Sequence, residues 1–393
     1  MNRFKKVCGS LVLAASLVAG LTATAPASKA ASSTDELTKL GTMLETVKTA
    51  TNAVVATVPT ETTSSTNISI MSFNIPISLK TTVDPTSKTA KMEGSAEIPD
   101  AVTAISIISP KLGKLVDKLG IKAGTKKIED YGDLTKKAVY RYSDKNGRYE
   151  VATLPDALAG SSILSSIDAT KLAKLAPVLT VSFKGTDEVT LNIKADGDAL
   201  KSIKSDVASL VTGLLGDSEY ASLLKELSSK DALQGIDINI TLKANDTHVL
   251  TQHDIEGTLT VNVENTPVTI GVNISGKSAT TTQTVTIPEN FTKDAQLIEG
   301  FEAKAGGVNF ISKLSGKKTV FSVAGVSNTK ATSLTIPKSI SKFGKSYSVS
   351  AAAKNAFKKA TKLKTLTIKN ASLKKAVKKS PSKYGLKKGV KIK

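Results

Sequence analysis

The side chains that most often carry out catalysis are scarce in this chain. Its 393 residues include one cysteine, Cys8, two histidines, His248 and His253, and no tryptophan. Cys8 lies in a segment that we expect to be removed, which leaves no thiol for a disulfide, a cysteine-based zinc site or a nucleophile. Two histidines leave few candidates for a Ser-His-Asp triad or a multi-histidine metal site. We therefore expect a protein that is not an enzyme and that uses no cofactor or metal.

Three short motifs have the residue types of functional sites but lack the rest of such a site. His248 and His253 would point to opposite faces of a predicted strand and turn, so we interpret them as solvated or core-edge residues. Asp196-Gly197-Asp198 lacks the closing glutamate of a calcium loop and suits a turn before a helix. Glu129-Asp130, with Asp133 nearby, could form a carboxylate pair, but the sequence places no acid/base partner beside it. A hydrolase of wall or glycan stays open as a third functional class.

The strongest chemical signal is an uneven distribution of charge. Residues 301–393 contain 23 lysines and one acidic residue, Glu302, whereas residues 31–300 contain 27 basic and 33 acidic residues. Such asymmetry predicts two domains with different partners, and the basic one suits a polyanion. The alternative is that the lysines only solvate a surface, but solubility does not require the exclusion of Asp and Glu. The lysines that we predict to contact the polyanion are Lys354, Lys358, Lys359, Lys362, Lys364, Lys374, Lys375, Lys378 and Lys379.

The first thirty residues predict export. Met1–Lys6 is positively charged, Val7–Val18 is apolar, and Ser28-Lys29-Ala30 supplies small residues for cleavage after Ala30. No later segment is apolar enough to span a bilayer. We expect a secreted bacterial protein that associates non-covalently with the cell surface. Its partner would then be an anionic cell-wall polymer or a host acidic glycan or protein rather than nucleic acid.

Hydrophobic patterns between residues 31 and 300 predict a sheet covered by helices. Ser33-Thr34-Asp35-Glu36 is a capping box before a run of apolar residues at helical spacing. Asp144–Gly147 suits a hairpin turn. Apolar and polar residues alternate over Ile236–Leu242 and over later segments, the last of them Thr280–Ile287. Period-two alternation indicates an antiparallel sheet with one buried face. Helices predicted at residues 112–119, 163–176 and 200–227 would help to cover it.

This order of elements resembles LolA/LppX-type lipoprotein domains. The resemblance rests on Val139-Tyr140-Arg141-Tyr142, on Val178–Ala195 and on Ile236–Glu289. It implies a curved antiparallel sheet that wraps around helices and can hold an acyl chain. A carrier or sensor of an apolar ligand such as a lipid, held within residues 33–298, is therefore the alternative function. A solidly packed core is the other possibility, and the chain has no lipidated cysteine of the lipoprotein members.

The C-terminal part is similar to the BspA-like leucine-rich repeats of bacterial surface proteins. Ser333–Pro337, Lys354–Lys358 and Lys362–Ile368 contain the Leu-Thr-Ile-Pro, Asn-Ala-Phe and Leu-x-Ile elements. The resemblance implies that Ala-Phe packs inside, that Leu-x-Ile lines a strand, and that the module serves surface attachment. One complete and two partial repeats are present, and about three are needed for stability. The alternative is a degenerate remnant that acts as a basic spacer.

Together these patterns predict an α+β protein: a half-barrel-like sheet with helices, followed by a short repeat module. The oligomeric state stays open. The predicted boundaries are residues 1–30 for the signal peptide, 31–298 for the sheet domain, 299–316 for a linker and 317–393 for the basic module.

Overall fold

The computed structural model describes residues 33–70, 73–100, 123–143, 146–154, 169–200, 233–263, 266–316 and 318–393. The predicted signal peptide, residues 1–30, lies outside this part of the chain. So do the predicted helix at 112–119, residues 163–168 of the one at 163–176, and all but the first residue of the one at 200–227. The chain divides into two compact units, residues 1–134 with 155–286 and residues 135–154 with 287–393.

Strands outnumber helices in the described residues, and the fold class is α+β as predicted. The helices are α1 Thr34–Thr57, α2 Ala169–Lys174, α3 Glu289–Lys293 and α4 Ala371–Lys379. The strands are β1 Thr60–Ile70, β2 Phe73–Asp84, β3 Thr89–Ile98, β4 Gly124–Asp133, β5 Ala138–Ser143, β6 Arg148–Thr153, β7 Leu179–Lys184, β8 Glu188–Asp196, β9 Leu233–Ala244, β10 Leu250–Val263, β11 Thr266–Thr280, β12 Gln296–Leu297, β13 Glu302–Ala305, β14 Val308–Ser315, β15 Lys318–Val326, β16 Ser333–Ile336, β17 Ser339–Lys342, β18 Lys345–Ala352, β19 Thr365–Ile368 and β20 Lys391–Ile392.

The first unit begins with helix α1, and the predicted capping box is confirmed. Ser33 Oγ accepts a hydrogen bond from the Glu36 N–H at 3.2 Å, and the Glu36 carboxylate accepts one from the Ser33 N–H at 2.8 Å. Two orphan N–H groups are thereby satisfied at the start of the helix. The helix buries Leu40, Leu44 and Val47, which gives it the apolar face that the spacing predicts.

The sheet of the first unit is antiparallel and curls into a half-barrel, as predicted. Its strands follow the order β4-β3-β2-β1-β11-β10-β9-β8-β7. One face is buried: Leu191, Ile240, Ile255 and Ile274 lie side by side on four neighbouring strands, and each is at most 5% exposed. The alternation of apolar and polar residues therefore sets the register, because a slip of one residue would expose this whole face.

The predicted last strand of this unit, Thr280–Ile287, is wrong. Strand β11 ends at Thr280, and residues 281–288 form no strand. Val285 is buried there, and its N–H donates to the Asp84 carboxylate at 3.4 Å. Burial alone would raise the pKa of Asp84, but hydrogen bonds from Ser87, Val285 and Thr86 outweigh it and lower that pKa. A hydrogen bond to the Asp84 side chain thus holds this segment, in place of the strand pairing that the alternation predicts.

The second unit combines the β5–β6 hairpin with the C-terminal part of the chain. Strands β13, β14, β15, β18 and β17 form one sheet, and β16, β19 and β20 form another. Residues 299–316, predicted as a linker, contain strands β13 and β14. The short strand β12 pairs with β6 in parallel, and Arg148 Nη2 on β6 donates to the carbonyl of Leu297 at 3.3 Å. The hairpin therefore packs as part of this unit.

Candidate functional site

The second unit contains a short stack of parallel strands. Ser333 and Leu334 of β16 lie opposite Thr365 and Leu366 of β19, and Leu366 lies opposite Ile392 of β20. Leu334, Ile336, Leu366 and Ile368 of this stack are buried, with Leu366 fully inaccessible, and Ile392 is half-buried. Since side chains alternate along a strand, the serine, threonine and lysine residues between them lie on the outer face.

The turns that precede β19 and β20 also stack on each other. The Asn355 N–H donates to the Lys383 carbonyl at 3.0 Å, and the Phe357 N–H donates to the Tyr384 carbonyl at 2.9 Å. Ala356 and Phe357 are 4% and 2% exposed, and Tyr384 is buried as well. A Cβ atom on Gly385, where φ is +77°, would lie 2.8 Å from the Lys358 nitrogen. Glycine is required there because the turns touch and the backbone is left-handed.

Helix α4 presents a basic surface beside this stack. The Asn370 side chain caps the helix by accepting a hydrogen bond from the Leu373 N–H at 3.0 Å. Leu373 and Val377 are buried one turn apart. The remaining surface of the helix contains four of the predicted lysines: Lys374, Lys375, Lys378 and Lys379. Lys378 and Lys379 lie in the last turn, where positive charge interacts favourably with the helix dipole.

The nine lysines predicted from the sequence all lie in the second unit, and their side chains are accessible. Lys374 is half-buried, and the other eight are exposed. Within the described residues, none of the nine forms an ion pair with an acidic side chain, whereas Arg148 pairs with Glu150 and Lys293 with Glu289 in the same unit. The structure brings them together in two groups, one in and after the turn at residues 354–364 and one on α4.

Five further exposed lysines lie at the end of the stack, in the turn before β20 or in or beside that strand, and are not among the predicted nine. We call each strand of the stack, with the turn that precedes it, a coil. The internal repeat is weak here, because Tyr384 stands where the preceding coil has Phe357. An alignment of the segment Tyr384–Ile392 with Phe357–Ile368 could have found it. The additional lysines are Lys383, Lys387, Lys388, Lys391 and Lys393.

Other lysines of this unit have structural roles. Lys345 Nζ donates to the carbonyls of Lys293 and Ala295 at 2.7 and 2.8 Å. Burial lowers the pKa of Lys345, opposed by the nearby Asp294 charge. Lys342 lies over the ring of Phe301, with its Nζ 5.7 Å from the ring centroid. Lys383 of the stack lies over the Tyr384 ring in the same way, with its Nζ 5.7 Å from the ring centroid.

The two histidines are separated as expected. His248 is exposed in a turn with φ +61°, while His253 on β10 is 8% exposed. The His253 ring lies on Gly276 of the neighbouring strand, where a Cβ atom would be 2.2 Å from it. Its Nδ1 atom is buried without a hydrogen-bond partner among the described residues. Burial lowers the pKa of His253, with Asp254 acting in the opposite direction.

The structure also shows how the acidic residues of the two remaining motifs are placed. Glu129 and Asp130 are consecutive on β4, one exposed and one buried, so they lie on opposite faces and form no carboxylate pair. Tyr131 donates to Glu129 at 2.9 Å, and its pKa is raised to about 12 by burial and by that carboxylate. Asp196 ends β8, and Gly197 follows with φ +46°. No group of three or more potential metal ligands occurs in the part of the chain described.

The alternative function, binding of an apolar ligand, requires a cavity on the buried face of the first unit. Where α1 meets β8, β9 and β10, the packing leaves a gap of only about 10 Å³, lined by residues such as Leu44, Val189 and Leu242. A larger depression of about 470 Å³ is open to solvent and is lined mainly by serine, threonine and lysine residues. The helices predicted to cover the rest of the sheet lie outside the described residues.

Comparisons with known proteins give only distant likenesses. No protein-family model and no curated protein matches the sequence. Among solved structures, the Mycobacterium tuberculosis lipoprotein LppX matches with 7% identity and a TM-score of 0.25, over 65% of this chain and 100% of that one. A putative outer membrane protein from Bacteroides fragilis matches with 9% identity and a TM-score of 0.16, over 55% and 49%.

A DUF1329 family protein from Desulfovibrio piger matches with 8% identity and a TM-score of 0.15, over 61% of this chain and 90% of that one. Likenesses this weak carry no inference about activity or ligand. Among the described helices, none is both long and apolar enough to cross a membrane.

Proposed function

We propose that this chain is a secreted, non-catalytic binding protein of the bacterial cell surface, attached through its C-terminal module to an anionic cell-wall polymer such as teichoic acid or an acidic glycan. The observation that carries the proposal is the set of nine accessible lysines without acidic partners in the described chain. A surface that only had to be soluble would mix both signs of charge. A surface that neutralises a polyanion needs unpaired cations.

The arrangement of the module supports a repeat architecture for this surface. Its strands stack in parallel and in register, the Leu-x-Ile side chains point inward, and Ala356-Phe357 is buried. These are the features that a BspA-like leucine-rich repeat would have. The stack is short, and its helix α4 and turns supply most of the lysines, so we infer that attachment depends on a folded module rather than on a flexible basic spacer.

Co-sedimentation of the full secreted chain with purified cell walls tests this proposal. The comparison uses walls with their teichoic acid intact and walls from which it has been extracted. We expect retention on intact walls and a loss of at least tenfold after extraction. Retention that is equal on both preparations would contradict attachment through that polymer, and addition of an acidic glycan as a competitor would then identify the other class.

A second candidate is a carrier of an apolar ligand in the first unit. It is favoured by two buried polar atoms on the inner face that have no partner in the described residues, Thr66 Oγ1 and His253 Nδ1. Buried polar groups are normally hydrogen-bonded, and the polar end of a bound lipid would supply such a partner. The tight contact of α1 with the sheet argues against a large cavity at that position.

Native mass spectrometry of protein secreted by its own host tests this candidate. A carrier should release a lipid of defined mass on activation in the gas phase, and added lipid should raise its melting temperature. Protein that carries no lipid and is not stabilised by lipid would exclude the carrier function. Cell-wall attachment would be unaffected by that result.

A further inference from the structure

Backbone contacts between successive coils join segments that carry lysines. The Lys391 N–H donates to the Lys364 carbonyl at 2.9 Å, and Lys391 lies opposite Thr365, the residue after Lys364, in the parallel pair. On the other side of the stack, the turn containing Lys358 touches Gly385, which is followed by Lys387 and Lys388. We call Lys364, Lys391 and Lys393 the strand row, and Lys354, Lys358, Lys359, Lys383, Lys387 and Lys388 the turn row.

Both rows cross the stack from one coil to the next. The backbones of adjacent strands in a sheet are about 4.8 Å apart, and electrostatic interactions extend over a screening length of about 8 Å at physiological salt. Lysines on neighbouring coils therefore repel each other. No acidic side chain forms an ion pair with either row in the described part of the unit. A ligand that follows the row would remove this repulsion.

The use of lysine rather than arginine indicates what kind of ligand the two rows bind. All 23 basic residues of 301–393 are lysines. Arginine is favoured where a planar carboxylate or phosphate is recognised in one orientation, whereas lysine acts as a point charge that suits phosphate. A lysine row therefore detects a line of negative charge and tolerates many conformations of the polymer that bears it.

Building on the proposed function, we propose that the strand row and the turn row bind a linear polymer with phosphate in its backbone, which lies across the coils and contacts at least two of them. The ligand is then recognised by its length and charge density. A single phosphate group would occupy only one lysine and gain little from the stack.

Titration of the full chain with inorganic polyphosphate tests this inference. Long polyphosphate, tripolyphosphate, inorganic phosphate and polyglutamate are compared at several salt concentrations. We expect affinity to rise at least tenfold from tripolyphosphate to long polyphosphate, and we expect polyglutamate of matched charge to bind more weakly. Each phosphate contact adds about 0.7–0.9 to the slope of log K against log salt.

Two triple variants of equal charge locate the site. Lys358→Ala, Lys387→Ala and Lys388→Ala remove turn-row charges from both coils, whereas Lys304→Ala, Lys313→Ala and Lys330→Ala remove exposed lysines outside the rows. The turn-row variant should lose at least tenfold in affinity and about 2–3 in slope, and the control variant should change less than threefold. Circular dichroism of both variants verifies that they are folded.

Each outcome separates this inference from the proposed function. Equal binding of tripolyphosphate and long polyphosphate, or equal losses in the two triple variants, would overturn the row arrangement while leaving polyanion attachment intact. Tighter binding of polyglutamate would overturn the choice of phosphate. If none of these polymers bound at low salt, the proposed function itself would fail.

Discussion

The two units handle charge in opposite ways. In the sheet of the first unit, charged side chains lie beside partners of opposite sign: Lys80 beside Glu61 at 2.8 Å, and Lys194 beside Asp237 at 3.1 Å. In the stacked coils of the second unit, the predicted lysines have no acidic partner among the described residues. The first arrangement stabilises the fold in isolation, whereas unpaired charges of one sign repel each other. This difference is the reason why we propose the second unit as the attachment surface.

Removal of a buried side chain from the stack should have the largest effect on the stability of the second unit and on wall retention. Leu366→Ala deletes a fully buried side chain between β16 and β20, and such a deletion costs about 2–5 kcal/mol. We expect the second unit to unfold at a lower temperature and wall retention to be lost with it. Differential scanning calorimetry and co-sedimentation measure the two effects.

The matched control is Leu191→Ala, an equally buried leucine in the first unit. It should destabilise that unit by a similar amount and leave retention unchanged. Loss of retention in both variants would show that attachment is not confined to the second unit.

A substitution at the His253 contact should have the next largest effect. A Cβ atom in Gly276→Ala would lie 2.2 Å from the His253 ring, which must then shift. Overpacking of this kind costs about 1–3 kcal/mol. We expect a lower midpoint of chemical denaturation for the first unit. In Gly276→Ala combined with His253→Ala the clash is absent, so part of the loss should be recovered; an additive loss would contradict the contact.

The pH dependence of the first unit follows from the same histidine. Burial lowers the pKa of folded His253, while the unfolded chain has its ordinary pKa of about 6.5. Between these two values the unfolded chain binds more protons, so stability should fall as pH decreases below about 6.5. His253→Phe should remove this part of the dependence, and the exposed-turn control His248→Asn should keep it. Urea titrations from pH 7 to pH 5 measure it.

Surface charges should give the smallest effects, with opposite signs in the two units. Lys375→Gln removes a repulsion with Lys379 one helical turn away and should stabilise α4 by about 0.2–0.5 kcal/mol at low salt. Lys194→Gln removes the ion pair with Asp237 and should destabilise the first unit by up to about 1 kcal/mol. Thermal denaturation at low and high salt should show both effects shrinking as salt rises. Effects of the same sign would contradict the contrast between the units.

Local patterns predicted much of the fold. The capping box at Ser33, the hairpin at residues 138–153 and the alternation of β9 to β11 all depend on short-range spacing, and each is confirmed. Thr280–Ile287 has the same alternation but is fixed by Asp84, a residue far away in sequence. The pairing of β13 with β14 within residues 299–316 is different, because its two-residue Gly306-Gly307 turn is a short-range hairpin signal that the linker prediction overlooks.

The candidate surface could be predicted only in part. A scarcity of acidic residues predicts the region, and the nine lysines predicted there are accessible. Lys383, Lys387 and Lys388 are not among them, and their coil has Tyr384 where the preceding one has Phe357. Their position beside Lys354, Lys358 and Lys359 follows from the stacking of two turns through backbone hydrogen bonds, which side-chain patterns do not encode.

The salt dependence of wall binding by the full chain tests attachment through unpaired lysines most directly. Binding to intact cell walls would be measured from low to high salt at constant pH. The account predicts a straight, steep decrease of log K with log salt, because every lysine–phosphate contact releases counterions. Retention that does not change with salt would contradict it.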